Sequence, residues 1–173
     1  MNAVPLMLAE INSLLREDFV RLFGGLFEHS PWVAESTWSK QPFASLEKLH
    51  EAFCQTVLDA GEEKQLALIR AHPDLVGRAA LAGALTREST NEQARAGLNQ
   101  LTPEEIETFK RSNAAYREKF GFPFVICARL NKKDAILNGF RIRLNHSREQ
   151  EIRTALEEIF KIAELRLRDL THD

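Results

Sequence analysis

The chain has 173 residues, 44% of them hydrophobic and 28% charged, with a formal net charge of -2. That length suits one domain over residues 1–173 that buries roughly 70% of its unfolded surface, and the charge gives no case for nucleic acid or an anionic membrane as a partner. No run approaches the roughly 20 apolar residues of a membrane span.

Helical periodicity runs nearly from end to end. Phe19, Leu22, Phe23 and Leu26 mark a first strong amphipathic helix, expected to end near Glu28-His29-Ser30. Pro31 opens a short helix through Trp38. Ser45 caps a helix whose apolar face reads Leu46, Leu49, Phe53, Val57. Another runs from about Glu62 to His72, and a short one, capped by Asp74, to about Ala84. Ser89-x-x-Glu92 reads as a capping box opening a helix to about Gly97. Thr102-Pro103-Glu104-Glu105 opens the next, to about Lys119. Phe120 to Ala128 has strand-like character but nothing obvious to pair with, so it is expected as an extended or partly helical connector packed into the core. Asp134 starts a helix to about Leu144, and Ser147 caps a last long one to about Leu170. The expected fold class is all-α, a single compact domain of about eight helices.

The N-terminus lacks a basic stretch followed by a long apolar one, and Thr171-His172-Asp173 is not a peroxisomal tripeptide. Cys54 and Cys127 both lie in apolar stretches without metal or redox spacing, which suggests two buried free thiols. A cytoplasmic location is expected. The five histidines show neither H-x-x-x-H nor H-E-x-x-H spacing, and the chain has no Gly-rich phosphate loop and no G-x-S-x-G elbow. No metal or cofactor is expected, so catalysis falls to side chains and backbone.

Three polar residues sit where an apolar pattern would bury them. Leu68 and Ile69 lie four and three residues before His72, so the imidazole ends the apolar face of its helix, and Pro73 stops the helix there. Glu92 and Gln93 are expected in the first turn of their helix, near its positive end. Arg166 lies about 20° from Ile159 on the stripe Ile152, Leu156, Ile159, Ala163, while Arg168 points roughly opposite. Each has a structural reading. His72 can interact with terminal helix carbonyls, Glu92 can complete a capping box, and Arg166 can pair with a buried glutamate. Each has a chemical reading too: an acid/base pair, and a guanidinium fork for a carboxylate.

The chain resembles the 2-oxo-4-hydroxy-4-carboxy-5-ureidoimidazoline (OHCU) decarboxylases of urate degradation. The resemblance runs through Glu28-His29-Ser30-Pro31-Trp32, Ala71-His72-Pro73-Asp74-Leu75, Glu88-Ser89-Thr90-Asn91-Glu92-Gln93 and Ala96-Gly97-Leu98. It continues through Asn113-Ala114-Ala115-Tyr116, Phe120-Gly121-Phe122-Pro123-Phe124-Val125-Ile126 and Ile162-Ala163-Glu164-Leu165-Arg166-Leu167. It implies an all-helical homodimer and a cofactor-independent enzyme that makes (S)-allantoin and CO2 from a small anionic substrate. By position it implies catalytic roles for His72 and Glu92. It assigns substrate contacts to Pro73, Ser89, Gln93, Phe124, the backbone around Ile126, and Arg166. Two alternatives stand beside it. His72-Pro73-Asp74 after a helix also resembles the turn of J-domain co-chaperones, a binding module, although no basic helix precedes it here. An inactive all-α homologue is the other.

Overall fold

The computed structural model describes residues 4–77 and 83–172. Among these are nine α-helices: α1 (Leu8–Ile11), α2 (Arg16–Phe23), α3 (Trp32–Trp38), α4 (Leu46–Asp59), α5 (Glu62–Ala71), α6 (Arg87–Arg95), α7 (Pro103–Phe120), α8 (Lys133–Arg143) and α9 (Arg148–Leu170). A 3-10 turn covers Ala128–Leu130, and two short strands, β1 (Leu6–Met7) and β2 (Thr171–His172), pair in parallel. The all-α expectation holds. The chain groups into two compact units, one of Met1–Ala71 with Phe160–Asp173, the other of His72–Ile159.

In the first unit α2 packs on α3, α3 on α4 and α4 on α5. The centre is aromatic. Phe19 meets Phe23 edge-on at 4.9 Å and stacks on Phe53 at 5.9 Å, and Phe27 lies 6.0 Å from Phe53. Such pairs add roughly 0.5–1.5 kcal/mol each beyond the area they bury. On α4 the expected face is in place, with Leu49, Phe53 and Val57 fully buried and Ser45 Oγ accepting from Lys48 N–H at 3.1 Å. The first amphipathic helix stops at Phe23, earlier than its pattern suggests. Gly24 and Gly25 follow, and at Gly24 the chain turns in so tightly that a Cβ would lie 2.5 Å from the Val20 carbonyl oxygen. After α9 the chain continues into strand β2, with Thr171 opposite Leu6. Cys54, expected to be buried, is half-buried beside His50; burial is still the main influence and pushes its thiol up to about 12.

In the second unit α7 packs on α8, and α6 lies against the 128–130 turn. Thr102 caps α7, Pro103 occupies its first turn, and Gly121 closes it at φ 78. Ser147 and Gln150 cap α9 reciprocally, at 3.2 and 2.8 Å. The connector after α7 is extended and buried as expected. Phe124 from this segment stacks on Phe140 of α8 at 3.8 Å and meets Tyr116 of α7 edge-on at 5.3 Å.

One cap differs from expectation. The N-cap of α6 is Thr86, whose Oγ1 accepts from Ser89 N–H at 3.2 Å, so Ser89 and Glu92 form no capping box. The helix starts three residues earlier than the serine suggests, and Glu92 stands in its second turn rather than its first. Thr86→Ala is therefore expected to cost about 1 kcal/mol of stability, read as a lowered urea midpoint at unchanged slope. The short helix expected from Asp74 to Ala84 lies partly outside the described residues. Within them, 74–77 form a turn with Val76 at φ 54. The Asp74 carboxylate accepts from Arg117 Nε at 2.9 and 3.1 Å, and the helix it was expected to cap lies partly beyond the described part of this loop.

Candidate active site

The second unit brings three of the singled-out segments together. His72 is its first residue, 7% exposed, lying just past the end of α5 rather than in its last turn. Pro73 explains the offset, since the ring disfavours helical geometry in the residue before it. The loop from His72 to Gly77 is tied down by three side chains. Gln93 Oε1 accepts from Val76 N–H at 3.2 Å, Asn113 Nδ2 donates to the Leu75 carbonyl at 2.8 Å, and Arg117 holds Asp74. The left-handed φ of Val76 turns its N–H toward α6 at a conformational cost that these anchors offset.

Gln93 thus joins the histidine loop to α6. Ser89 lies one turn before it on the same buried face, and Glu92, beside it, is half-buried. The same helix, α6, meets the 3-10 turn that follows the Phe124 to Ile126 segment. The charge of Glu92 is felt there. Burial raises the Cys127 thiol first, opposed by a bond from Leu130, and the negative charges of Glu158 and Glu92 push it further up. Phe124 is fully inside, whereas Ile126 is the half-buried position in an otherwise buried run from Phe122 to Ala128. His72, Pro73, Ser89, Glu92, Gln93, Phe124 and Ile126 therefore all belong to this unit.

Arg166 belongs to the first unit and is buried, as the stripe of the last helix predicted. Its Nη2 meets Glu28 Oε2 at 3.0 Å and its Nη1 donates to the Gly25 carbonyl at 3.1 Å. Glu28 is itself almost fully buried, so each charge offsets the desolvation of the other. The glutamate partner weighed for Arg166 is thus identified.

Sequence reasoning missed a second buried polar group. Glu151, fully buried, takes the Tyr116 hydroxyl at 2.5 Å and Arg143 Nε at 2.7 Å on one oxygen, and His146 Nδ1 at 2.9 Å on the other. Burial, reinforced by the bond to Glu151, pushes the Tyr116 hydroxyl up, so it remains a donor at any ordinary pH. Arg143 also donates through Nη1 to the Val125 carbonyl at 2.7 Å and lies 4.2 Å over the Phe124 ring. Asn113 Oδ1 is buried with no partner among the described residues, an acceptor at the edge of the histidine loop. The pattern that exposes Arg166 also exposes these residues. Ile136, Phe140 and Arg143 share one face of α8, and Glu151, Ala155 and Ile159 one face of α9.

The family model for OHCU decarboxylase matches residues 12–168, a span that runs through both units. A 2-oxo-4-hydroxy-4-carboxy-5-ureidoimidazoline decarboxylase of Halalkalicoccus jeotgali is 46% identical over 166 residues, covering 96% of this chain and 92% of that protein. One of the same name from Haloferax volcanii is 48% identical over 162 residues, covering 94% of each. Among solved structures, the crystal structure of (S)-allantoin synthase superposes with a TM-score of 0.77 at 29% identity, covering 97% of this chain. The present chain spans 54% of that longer protein.

Proposed function

The chain belongs to the OHCU decarboxylase family, and on that premise we propose that it converts 2-oxo-4-hydroxy-4-carboxy-5-ureidoimidazoline to (S)-allantoin and CO2 in urate degradation. It is a carboxy-lyase acting on a small anionic heterocycle. The substrate carries a hydroxyl and a carboxylate on one ring carbon, next to a carbon that bears the ureido group and is doubly bonded to nitrogen. When the bond to the carboxylate breaks, its electron pair forms a double bond between the two carbons. The π pair of the C=N bond moves to nitrogen, which takes up a proton. The resulting enol then loses its hydroxyl proton and gains one on the ureido-bearing carbon, giving the carbonyl of allantoin. The ring is its own electron sink. The protein supplies orientation, charge placement and a proton delivered to one face.

His72 is the acid/base, hydrogen-bonded to the hydroxyl, since imidazole is the side chain suited to exchanging protons near neutral pH. Glu92 works beside it. Its charge orients the imidazole or faces the departing carboxylate, where like charges disfavour the ground state and the repulsion fades as neutral CO2 forms. Gln93 has its oxygen committed to Val76 N–H, which leaves its amide N–H groups to donate to the ring carbonyl or ureido end. Ser89, one turn away, and Phe124 contact the substrate, Pro73 shapes the wall beside the ring, and the Ile126 backbone bonds the heterocycle. Arg166 binds the anionic substrate, a role that rests on the resemblance, with Glu28 holding the plane of its guanidinium.

The observation that carries this placement is the 3.2 Å bond from Val76 N–H to Gln93 Oε1, which links the His72 loop to the helix bearing Glu92. The protein works as one domain over residues 1–173 and as a homodimer, expected by light scattering at twice the 19.7 kDa of the chain. A cytoplasmic location is supported by two cysteines that are not joined in a disulfide. Urate, urate oxidase and hydroxyisourate hydrolase generate the unstable substrate in place. Decay of its ultraviolet band is expected to accelerate in proportion to added protein. Decay at the spontaneous rate would falsify the enzyme reading.

A further inference from the structure

Both peptide groups flanking Ile126 are gripped from behind. The one before it is held by its carbonyl, since Arg143 Nη1 donates to Val125 O at 2.7 Å. The one after it is held by its N–H, since Cys127 donates to Glu158 Oε2 at 3.0 Å. In a trans peptide the C=O and N–H point in opposite directions. Anchoring the Val125 carbonyl therefore turns the Ile126 N–H away from Arg143, and anchoring the Cys127 N–H turns the Ile126 carbonyl away from Glu158. Among the described residues neither Ile126 group meets a partner of its own. Asn131 completes the hold by donating to the Cys127 carbonyl at 3.0 Å.

The anchor on the Val125 side is rigid. Arg143 is 6% exposed, braced against the Phe124 ring and paired with Glu151, which Tyr116 and His146 hold in turn. A buried ion pair of this kind is seldom more stable than well-packed apolar side chains of similar volume. What it supplies is a fixed direction for one carbonyl. Glu158 plays the same part on the other side from a half-buried position on α9.

We propose that Arg143 and Glu158 are positioning residues for the decarboxylation: they fix the two peptide planes around Ile126 so that its N–H and C=O present one donor and one acceptor to the heterocycle. The inference rests on the assignment of the Ile126 backbone to the substrate. An adjacent donor and acceptor suit the N–H and C=O edge of a 2-oxo ring, and a tilt of either plane breaks the pair. Both side chains act on the reaction through the peptide planes they hold, Arg143 through the Val125 carbonyl and Glu158 through the Cys127 N–H.

The test uses full-length protein labelled with carbonyl-13C valine and 15N isoleucine. Val125-Ile126 is the sole Val-Ile step in the sequence, so a carbonyl-filtered spectrum shows the Ile126 amide alone. In the wild-type protein that amide is expected to shift on addition of (S)-allantoin. Glu158→Ala is expected to displace the amide in the free protein and lower kcat/KM by about 10- to 100-fold, mostly through KM, with the helical circular dichroism retained. Glu158→Gln, which keeps an acceptor for Cys127 N–H, recovers most of the loss. Arg143→Lys keeps a charge for Glu151 but loses the fork and is expected to behave like Glu158→Ala; if it fails to fold, the Glu158 variants decide. A responsive wild-type amide, with Glu158→Ala unchanged in amide position and KM, overturns the clamp alone. A wild-type amide that ignores saturating allantoin overturns the Ile126 assignment and the clamp together.

Discussion

Replacing His72 with alanine is expected to lower kcat by roughly 10²–10⁴-fold, the usual worth of a positioned acid/base group, while the helical circular dichroism is retained. Retention of the fold follows from how the loop is held. Gln93 bonds Val76, Asn113 bonds Leu75 and Arg117 pairs with Asp74, so removing the imidazole leaves every one of these anchors in place. The cavity left by a ring at the edge of the buried region costs stability, but the loop keeps its course. A His72 that serves only as the end of α5 gives the opposite pattern, a lowered unfolding midpoint with near-wild-type turnover. Stopped-flow decay of the substrate, paired with a urea titration, separates the two.

Glu92→Gln is the second large effect, a fall in kcat of about 10²-fold or more with little change in stability. In a capping box this substitution would weaken the start of α6. Thr86 performs that task, however, and Glu92 stands in the second turn. Glutamine keeps the shape and much of the hydrogen bonding, so what disappears is charge. That charge also reaches Cys127, where, after burial and the charge of Glu158, it helps push the thiol up. A stability lowered by more than about 1 kcal/mol with unchanged turnover would return Glu92 to a structural role. A fall in turnover at constant midpoint places its charge in the chemistry.

Much of the fold was legible because helix periodicity and caps are local. The α4 stripe, the Thr102-Pro103 start of α7, the Ser147 cap of α9 and the buried connector need only neighbouring residues to be recognised. The start of α6 was misplaced by competition between two good caps. Ser89 has a glutamate three residues on and Thr86 has none, so pattern favoured the serine. The register found instead buries Ser89 and Gln93 on one face, a tertiary gain that no cap pattern contains. In the same way, the buried position of Arg166 was legible from its stripe, but its partner Glu28, far away in sequence, was not. Arg143 and Glu151 show the same limit more strongly. Periodicity marks each as buried, yet only the folded chain pairs them and brings Arg143 to the Val125 carbonyl.

The central claim, that His72 and Glu92 carry the chemistry and choose the face that receives the proton, is tested most directly by the handedness of the product. Substrate generated in place is turned over by wild-type protein and by the His72→Ala/Glu92→Gln double variant, and the allantoin is read by circular dichroism before it racemises. Optically active (S)-allantoin from the wild type, against racemic product at the spontaneous rate from the folded double variant, is the predicted result. Optically active product at an undiminished rate from the double variant would contradict it.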